Sequence, residues 1–159
     1  MNNRNENILV TVYLGLGTNL GDKKKNIEVA LRKIEKQIGK IISLSAFYVS
    51  EPFGFDSNNL FLNCAVEIKT RLSPYKLLTI TQLIESEMGR LTKSYLNGYA
   101  DRIIDIDILF YGDSVIHDAP TLIIPHPQIQ QRDFVLKPLA EIAPKLMHPV
   151  LNKTISQLL

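Results

Sequence analysis

The chain has 159 residues, of which 45% are hydrophobic and 21% are charged. This length and apolar content fit one domain with a substantial core and leave little room for a second domain. The formal net charge is only +2, which excludes the bulk positive field that holds proteins on nucleic acid or anionic lipid. We therefore expect a single domain over residues 1–159, with no nucleic-acid partner and no membrane partner.

The amino terminus and the cysteine content indicate where the protein works. Residues 1–7 are polar and rich in asparagine, so we expect a disordered tail rather than a secretory signal. No stretch approaches the roughly 18 unbroken apolar residues of a membrane span. Cys64 is the one cysteine, which excludes an internal disulfide and is typical of a reducing compartment. We interpret Cys64 as a small buried apolar residue and expect a soluble, cytoplasmic monomer.

The first part of the chain predicts a strand, a helix and two further strands. Residues 8–16 form a dense apolar run rich in β-formers, which indicates a buried strand. Apolar residues then recur at helical spacing between the boundary signals Asp22 and Gly39. Residues 41–49 and 61–68 carry β-branched and aromatic residues in loose alternation, so we predict a strand on each side of a long loop.

The second part completes a recognisable order of elements. Ser73 and the following proline predict the start of a second helix, which ends at Gly89. Residues 103–111 predict another strand. The resulting order, βαββαβ, predicts an α+β fold of the ferredoxin-like sandwich type, with helices on one face of a mostly antiparallel sheet and the other face left for a ligand. Residues 115–159 contain two short helical patterns, and we expect them to form a C-terminal extension packed on the same core.

Two aspartates on the last predicted strand give the sharpest chemical signal. Asp105 and Asp107 flank Ile106, so both carboxylates should project from one face, roughly 6 to 7 Å apart, while the isoleucines enter the core. Two carboxylates on a hydrophobic strand repel each other and resist desolvation unless a positive charge lies between them. Mg²⁺ suits carboxylate oxygens and accepts phosphate oxygens as further ligands, and the pair has room for two such ions. The alternative is a solvated strand face, which an isolated D-x-D would favour.

Basic residues on both sides of this strand favour a nucleotide-phosphate clamp. The residues concerned are Arg90, Lys93, Arg102, His126 and Arg132. Cations at these places would contact triphosphate oxygens held over the aspartates, although each alone is typical of a solvated surface charge. We expect residues 90–101, which include Tyr99, to close over the nucleotide and exclude water.

Several other enzyme classes lack their signatures in this sequence. The glycines of residues 15–21 are spaced G-x-G-x-x-x-G, whereas a dinucleotide-binding strand and helix require G-x-G-x-x-G. Neither a G-x-x-x-x-G-K-[ST] phosphate loop nor a G-x-S-x-G elbow nor an H-E-x-x-H zinc motif occurs.

With these landmarks assembled in order, the chain resembles the 6-hydroxymethyl-7,8-dihydropterin pyrophosphokinase family of folate biosynthesis from about Tyr13 to His148. The matching segments are residues 16–22, 47–48, 52–54, 61–63, 85, 89–90, 102–109, 125–127, 132–136, 138–139 and 141–144. The resemblance implies a transferase that moves the terminal diphosphate of ATP to the hydroxymethyl group of a reduced pterin and releases AMP, with two Mg²⁺ ions.

The resemblance also implies a set of site residues. The implied metal ligands are Asp105 and Asp107, which form the catalytic set together with Arg90 and Arg102. The implied ATP-binding residues are Gln82, Glu85, Arg90, Tyr99, Arg102, Ile108, His126 and Arg132. The implied pterin-binding residues are Ser50, Phe53, Phe61, Asn63, Asp105 and Phe134, with the ring sandwiched between Phe61 and Phe134 and its edge read by Asn63.

These implied roles are physically reasonable, and two rival functions remain open at this point. Offset stacking on a planar heterocycle is worth about 0.5 to 1.5 kcal/mol per pair beyond burial, and phosphoryl transfer needs positioning and charge stabilisation rather than a nucleophilic side chain. Without the resemblance, Phe61 and Phe134 are typical of ordinary core. The rivals are a non-catalytic ligand-sensing module and another ATP-dependent transferase on the same scaffold.

Overall fold

The structure, a computed structural model, describes residues 8–52, 59–89 and 102–159. Its elements, in chain order, are β1 (Val10–Thr18), α1 (Lys23–Gln37), β2 (Gly39–Leu44), β3 (Tyr48–Ser50), β4 (Phe61–Thr70), α2 (Pro74–Glu87), β5 (Asp105–Tyr111), β6 (Ile116–Asp118), β7 (Leu122–Ile124), a 3₁₀ turn (Ile129–Gln131), α3 (Asp133–Ile142) and α4 (Ile155–Leu158). The predicted tail, residues 1–7, lies outside the described residues. Within those ranges, no helix is long and apolar enough to cross a membrane.

The main sheet has the topology that the element order predicts. Its strands run in the order β2-β4-β1-β5. Strand β3 pairs with the same edge of β4 as β2 does, but at the other end of that strand. Every pair is antiparallel. Each βαβ unit therefore has its two strands separated by a strand of the other unit, which is the ferredoxin-like arrangement. Strands β6 and β7 form a separate hairpin. The predicted fold class is confirmed.

The predicted strand over residues 41–49 is instead two strands, β2 and β3, because of Ser45. The backbone N–H of Ser45 donates to the carbonyl of Ala65 at 3.0 Å, and its Oγ accepts from the N–H of Ala65 at 2.9 Å. A hydroxyl thus replaces a backbone carbonyl in the ladder, which lets the chain leave regular strand geometry at this point.

Capping geometry confirms the predicted starts of both helices and the predicted end of α2, whereas α1 ends at Gln37 and Gly39 already belongs to β2. The side chain of Asp22 accepts from the N–H of Lys25 at the start of α1, and that of Ser73 accepts from the N–H of Lys76 at the start of α2. Gly89, after α2, has φ 100°, a conformation that favours glycine. At the starts of α1 and α2, side-chain oxygens therefore satisfy terminal backbone N–H groups.

Helices α3 and α4 of the C-terminal extension pack on the opposite face of the sheet from α1 and α2, whereas the β6–β7 hairpin packs through Leu122 and Ile124 on the same core, as expected. One buried cluster joins β1, β4 and β5 to α1 and α2 through residues such as Leu14, Ile34 and Ile84. A second cluster includes Phe110 and Leu136 and joins the other face of the sheet to α3 and α4. The molecule is therefore a three-layer sandwich. The sheet is apolar on its second face as well, and the apolar side of α3 covers part of that face.

Strand β5 contains a β-bulge and contributes buried side chains to both layers. The pairing of β1 with β5 shifts register between Tyr13 and Leu14, and Leu109 and Phe110 consequently both belong to the second cluster. Regular alternation would send one of these two neighbours to the first layer.

His148 anchors the segment before α4 in the second layer. The residue is only 5% exposed, and its Nδ1 accepts from the N–H groups of Val150 at 3.2 Å and Leu151 at 3.1 Å. Its ring lies edge-on to Phe110 with centroids 5.6 Å apart. Burial lowers the pKa of His148 below its ordinary value of 6.5, and protonation of Nδ1 would remove the acceptor for both amides.

This geometry predicts a loss of stability in mild acid. Because the pKa of His148 is lower in the folded than in the unfolded protein, its contribution is complete above about pH 6.5 and declines as the pH falls through the folded value. The free energy of unfolding, measured by urea denaturation at pH 7.5 and pH 5, should therefore fall less in His148→Asn, whose Oδ1 still accepts, than in wild type. The exposed-site variant His117→Asn controls for loss of a histidine, and equal declines in wild type and His148→Asn would contradict the prediction.

Candidate active site

The open part of the second sheet face is a grid of six residues on three neighbouring strands. The strand registers place Gly17 of β1 between Asn63 of β4 and Asp105 of β5, and Gly15 between Ala65 and Asp107. Directly paired residues in an antiparallel sheet project to the same face. A hydrogen-bonding amide and two carboxylates therefore border a central strip without side chains.

The two glycines form the floor of a cavity. A Cβ on Gly17 would lie 3.1 Å from Oδ1 of Asn63, and one on Gly15 would lie 3.4 Å from the side chain of Leu109. The cavity opens to solvent, and about 570 Å³ of empty space lies within it and its mouth. Its lining residues are Gly15, Leu16, Gly17, Ser50, Glu51, Phe61, Asn63, Cys64, Ala65, Arg102, Asp105, Asp107, Leu109, Arg132, Phe134 and Val135.

The aspartates project as the sequence predicts. Along β5, Asp105 and Asp107 are partly exposed toward the cavity, while Ile106 and Ile108 are buried. The alternation confirms that the hydrophobic strand presents both carboxylates on one face.

Each aspartate lies beside an arginine, and each arginine lies over a phenylalanine. On one side, a guanidinium nitrogen of Arg102 is 3.4 Å from a carboxylate oxygen of Asp105, and the guanidinium carbon is 5.8 Å from the ring centroid of Phe61. This geometry lies within the range of a cation–π contact. We call this set the first trio.

The second trio repeats the arrangement with residues of the C-terminal layer. A guanidinium nitrogen of Arg132 is 4.0 Å from a carboxylate oxygen of Asp107, and its guanidinium carbon is 5.6 Å from the ring centroid of Phe134. Burial lowers the pKa of Arg132 to about 10, so this guanidinium remains charged at neutral pH. The cavity is consequently bordered by two acid–arginine pairs and two aromatic rings.

The network around Asn63 fixes which atom of its amide meets a ligand. The Nδ2 atom donates to the backbone carbonyl of Tyr48 at 3.1 Å and to Oγ of Ser50 at 2.8 Å. Because a carbonyl can only accept, the atom facing Tyr48 is the nitrogen. The oxygen Oδ1 lies toward Gly17 and the cavity floor, so Asn63 presents an acceptor to a bound molecule.

Helix α3 is fixed against β3 by a carboxylate, which sets the width of the cavity. Oε2 of Glu141 accepts from the backbone N–H of Ala46 at 2.8 Å and from the hydroxyl of Tyr48 at 3.0 Å. This bond raises the pKa of Tyr48 above its ordinary value. Since Phe134 is on α3 and Ser50 is on β3, the contact determines how far apart two walls of the cavity lie.

Not all of the expected site residues reach this cavity. Gln82 is exposed on α2, and Ile108 is buried in the first core cluster. Glu85 is buried, and its Oε2 accepts from the N–H of Ile106 at 2.9 Å. Glu85 thus satisfies a backbone donor on the outer edge of β5. His126 lies beyond β7, and its backbone N–H donates to the carbonyl of Leu109 at 3.0 Å.

Three expected site residues, Phe53, Arg90 and Tyr99, lie outside the described residues. The structure brings together eight of the others around one cavity: Ser50, Phe61, Asn63, Arg102, Asp105, Asp107, Arg132 and Phe134. Gly15 and Gly17 line the cavity but were not among the site residues expected from the sequence. Their signal was present as a G-x-G on a strand, but strand pairing is needed to show that they face the aspartates.

The donor set around the aspartates fits a magnesium ion that is shared with a phosphate ligand. Among residues 8–52, 59–89 and 102–159, no group of three or more His, Cys, Asp or Glu side chains could hold a metal alone. Mg²⁺ is usually bound by one or two carboxylates, with water and substrate phosphates completing its octahedral shell. Asp105 and Asp107 supply that number of carboxylates.

Comparison with known proteins assigns the chain to a family of transferases. Residues 13–144 match the model of the 7,8-dihydro-6-hydroxymethylpterin-pyrophosphokinase family. The chain therefore belongs to this pyrophosphokinase family.

Curated relatives share most of the chain. The 2-amino-4-hydroxy-6-hydroxymethyldihydropteridine pyrophosphokinase of Porphyromonas gingivalis is 46% identical over 141 residues, which cover 89% of this chain and 95% of the relative. The Aquifex aeolicus enzyme of the same name is 40% identical over 149 residues, which cover 94% of this chain and 90% of the relative.

Solved structures share the fold. A crystal structure of Plasmodium falciparum HPPK-DHPS A437G with SDX-DHP superimposes with a TM-score of 0.79 and 23% sequence identity over 96% of this chain. This chain spans 45% of that longer polypeptide. The similarity extends to the fold of one part of the fused protein.

Proposed function

We propose that this protein transfers diphosphate from ATP to the hydroxymethyl group of 6-hydroxymethyl-7,8-dihydropterin and releases AMP, a step of folate biosynthesis. Membership of the pyrophosphokinase family supports the reaction. The observation that carries the proposal onto this chain is the convergence of two acid–arginine pairs and two phenylalanines around one cavity. Charged groups suited to phosphate and flat apolar groups suited to a heterocycle lie side by side there.

The pterin would bind between the two phenylalanines. The rings of Phe61 and Phe134 belong to opposite walls, on β4 and α3, and stacking against a planar ring requires surfaces of this kind. The acceptor Oδ1 of Asn63 matches a ring edge that carries N–H groups. The glycine floor leaves space for the ligand where any other residue would project.

The reaction then requires the hydroxymethyl oxygen to form a bond to the β-phosphorus of ATP while the bond from that phosphorus to the α,β-bridging oxygen breaks. AMP leaves with the bridging oxygen, and the alcohol loses its proton. Arg102 and Arg132 lie where a diphosphate between the pterin and the aspartates would pass, and their guanidinium groups can stabilise the charge that develops on its oxygens. Arg90 belongs to the same proposed set.

Asp105 and Asp107 are the proposed ligands for two Mg²⁺ ions. When bound, such ions neutralise phosphate charge and polarise the phosphorus that is attacked. The arginines next to the aspartates stabilise both carboxylates near each other in the protein itself. The proposed ATP-binding residues also include Gln82, Glu85, Tyr99, Ile108 and His126, and Phe53 joins Ser50 in the proposed pterin site.

The proposal includes a cytoplasmic monomer of one domain. The lone cysteine, Cys64, is typical of a reducing compartment, which supports the cytoplasm. Sedimentation equilibrium at micromolar concentration should accordingly give the mass of a single 18.0 kDa chain.

The direct test measures AMP. Purified protein incubated with ATP, Mg²⁺ and 6-hydroxymethyl-7,8-dihydropterin should release AMP in equal amount to the pterin diphosphate, because one bond is broken for each bond formed. Omission of the pterin or addition of excess EDTA should each abolish the product. Folded protein that forms no AMP under these conditions would reject the proposed function.

The acidic pair gives a sharper prediction. Asp105→Asn and Asp107→Asn keep the shape of each side chain but remove its charge, so each should lower kcat/KM on the order of 100-fold or more, since metal stabilisation of phosphoryl transfer is worth several kcal/mol. The exposed-site variant Asp113→Asn, just beyond β5, is the matched control. Turnover like that of wild type in either cavity variant, at saturating Mg²⁺, would contradict the assigned role.

The glycine floor gives a prediction specific to the pterin. In Gly17→Ala the added methyl group meets Asn63 Oδ1 at 3.1 Å, which displaces the acceptor, so the KM for the pterin should rise roughly tenfold, or about 1.4 kcal/mol, with little change in the KM for ATP. Gly15→Ala should have a smaller effect because its methyl group meets the side chain of Leu109 at 3.4 Å, an ordinary contact. Equal changes in both Michaelis constants for Gly17→Ala would argue against this placement of the pterin.

A further inference from the structure

We propose that Asn19 is a positioning residue for this reaction, which holds the backbone of Arg102 and the segment before Phe61 so that the first trio forms. The inference rests on the proposed function. Asn19 lies just after β1, in the turn that leads to α1. It is not among the cavity-lining residues and touches no proposed substrate, so its effect has to pass through other residues.

The strongest evidence is that both backbone polar groups of Arg102 bind this one residue. The backbone N–H of Asn19 donates to the carbonyl of Arg102 at 3.1 Å, and Oδ1 of Asn19 accepts from the N–H of Arg102 at 2.7 Å. Asn19 is 2% exposed and Arg102 is 7% exposed, so water does not readily replace these bonds. The pair fixes both the position and the direction of the chain where Arg102 begins its approach to the cavity.

The same amide also reaches the segment that leads into β4. Nδ2 of Asn19 donates to the carbonyl of Asn59 at 3.3 Å, two residues before Phe61, and Nζ of Lys23, the first residue of α1, donates to the carbonyl of Leu60 at 2.9 Å. The ring of Phe61 lies 5.8 Å from the guanidinium carbon of Arg102. Asn19 therefore holds both partners of this cation–π contact from behind.

An asparagine is suited to this place because a carboxamide carries an acceptor and a donor on one carbon. The turn itself is held by a different asparagine, Asn26, whose Nδ2 donates to the carbonyl of Leu20 at 2.8 Å and to Oγ1 of Thr18 at 3.3 Å. Since Asn26 supports the turn, we assign to Asn19 the alignment of Arg102 with Asp105 and Phe61. A displacement of about 1 Å in a group that stabilises the transition state can cost about 100-fold in rate.

The test compares single-turnover rates, which slow product release does not mask. Asn19→Ala should lower the rate of AMP formation by roughly 10- to 100-fold, with the dissociation constants for pterin and nucleotide changed less than about threefold. Asn26→Ala, which removes the same kind of side chain from the first turn of α1, should stay within about threefold of wild type. Asn19→Asp keeps the acceptor for the Arg102 N–H and should retain a larger rate than Asn19→Ala, whereas an Asp variant no faster than the Ala variant would overturn the assignment.

A double-mutant cycle separates positioning from general damage to the fold. If Asn19 acts through Arg102, then Asn19→Ala should cost less than about threefold in the Arg102→Ala background, while Asn26→Ala should add its small effect unchanged. Losses that add fully in the cycle would overturn the proposal, and this comparison holds even where Asn19→Ala lowers stability.

A ligand-free measurement keeps this inference distinct from the proposed function. In NMR hydrogen-exchange experiments on the protein alone, the amide of Arg102 should exchange at least about tenfold faster in Asn19→Ala than in wild type, and at the wild-type rate in Asn26→Ala. Wild-type protein that makes no AMP would reject the function, whereas an Arg102 amide that is equally protected in Asn19→Ala would reject the role of Asn19.

Discussion

The site depends on one steric constraint, the absence of side chains from two alternate positions on the central strand. Gly15 and Gly17 lie between β4 and β5, and the neighbours they face across the ladder include Asn63 and both aspartates. A central strand cannot move aside without disturbing two hydrogen-bonded ladders, so a larger residue would fill the cavity rather than shift the sheet. The empty strip thus separates the amide of Asn63 from the two carboxylates by the distance of two strands, about 10 Å.

Charge balance is the second organising feature. Each carboxylate has its own guanidinium, Asp105 beside Arg102 and Asp107 beside Arg132, so the pair does not depend on a ligand to offset its repulsion. Each guanidinium is in turn held over a ring. Under the proposed function the same groups have new partners when substrates bind, because metal ions neutralise the carboxylates while phosphate oxygens meet the arginines. Groups held ready in this way lose little free energy to reorganisation during the reaction.

The second trio shows how a terminal extension completes a common fold. The βαββαβ sheet supplies the glycine floor, the aspartates, Asn63 and Phe61, whereas Arg132 and Phe134 come from the segment that packs as a third layer. Glu141 fixes that layer to the edge of the sheet through Ala46 and the hydroxyl of Tyr48. The cavity therefore exists only where the sheet and the extension meet, which is how a widely used scaffold gains a particular site.

The sequence alone determined what depends on short-range periodicity and chemistry. It predicted the βαββαβ order, the caps at Asp22 and Ser73, and the alternation of Asp105 and Asp107 with buried isoleucines, since each follows from the repeat of a helix or strand. Tertiary structure decided what depends on pairing between distant segments. The break at Ser45, the bulge at Leu109, the layer on which α3 packs and the glycines opposite the aspartates all follow from strand register, which no local pattern specifies because register is set by contacts between residues far apart in the chain.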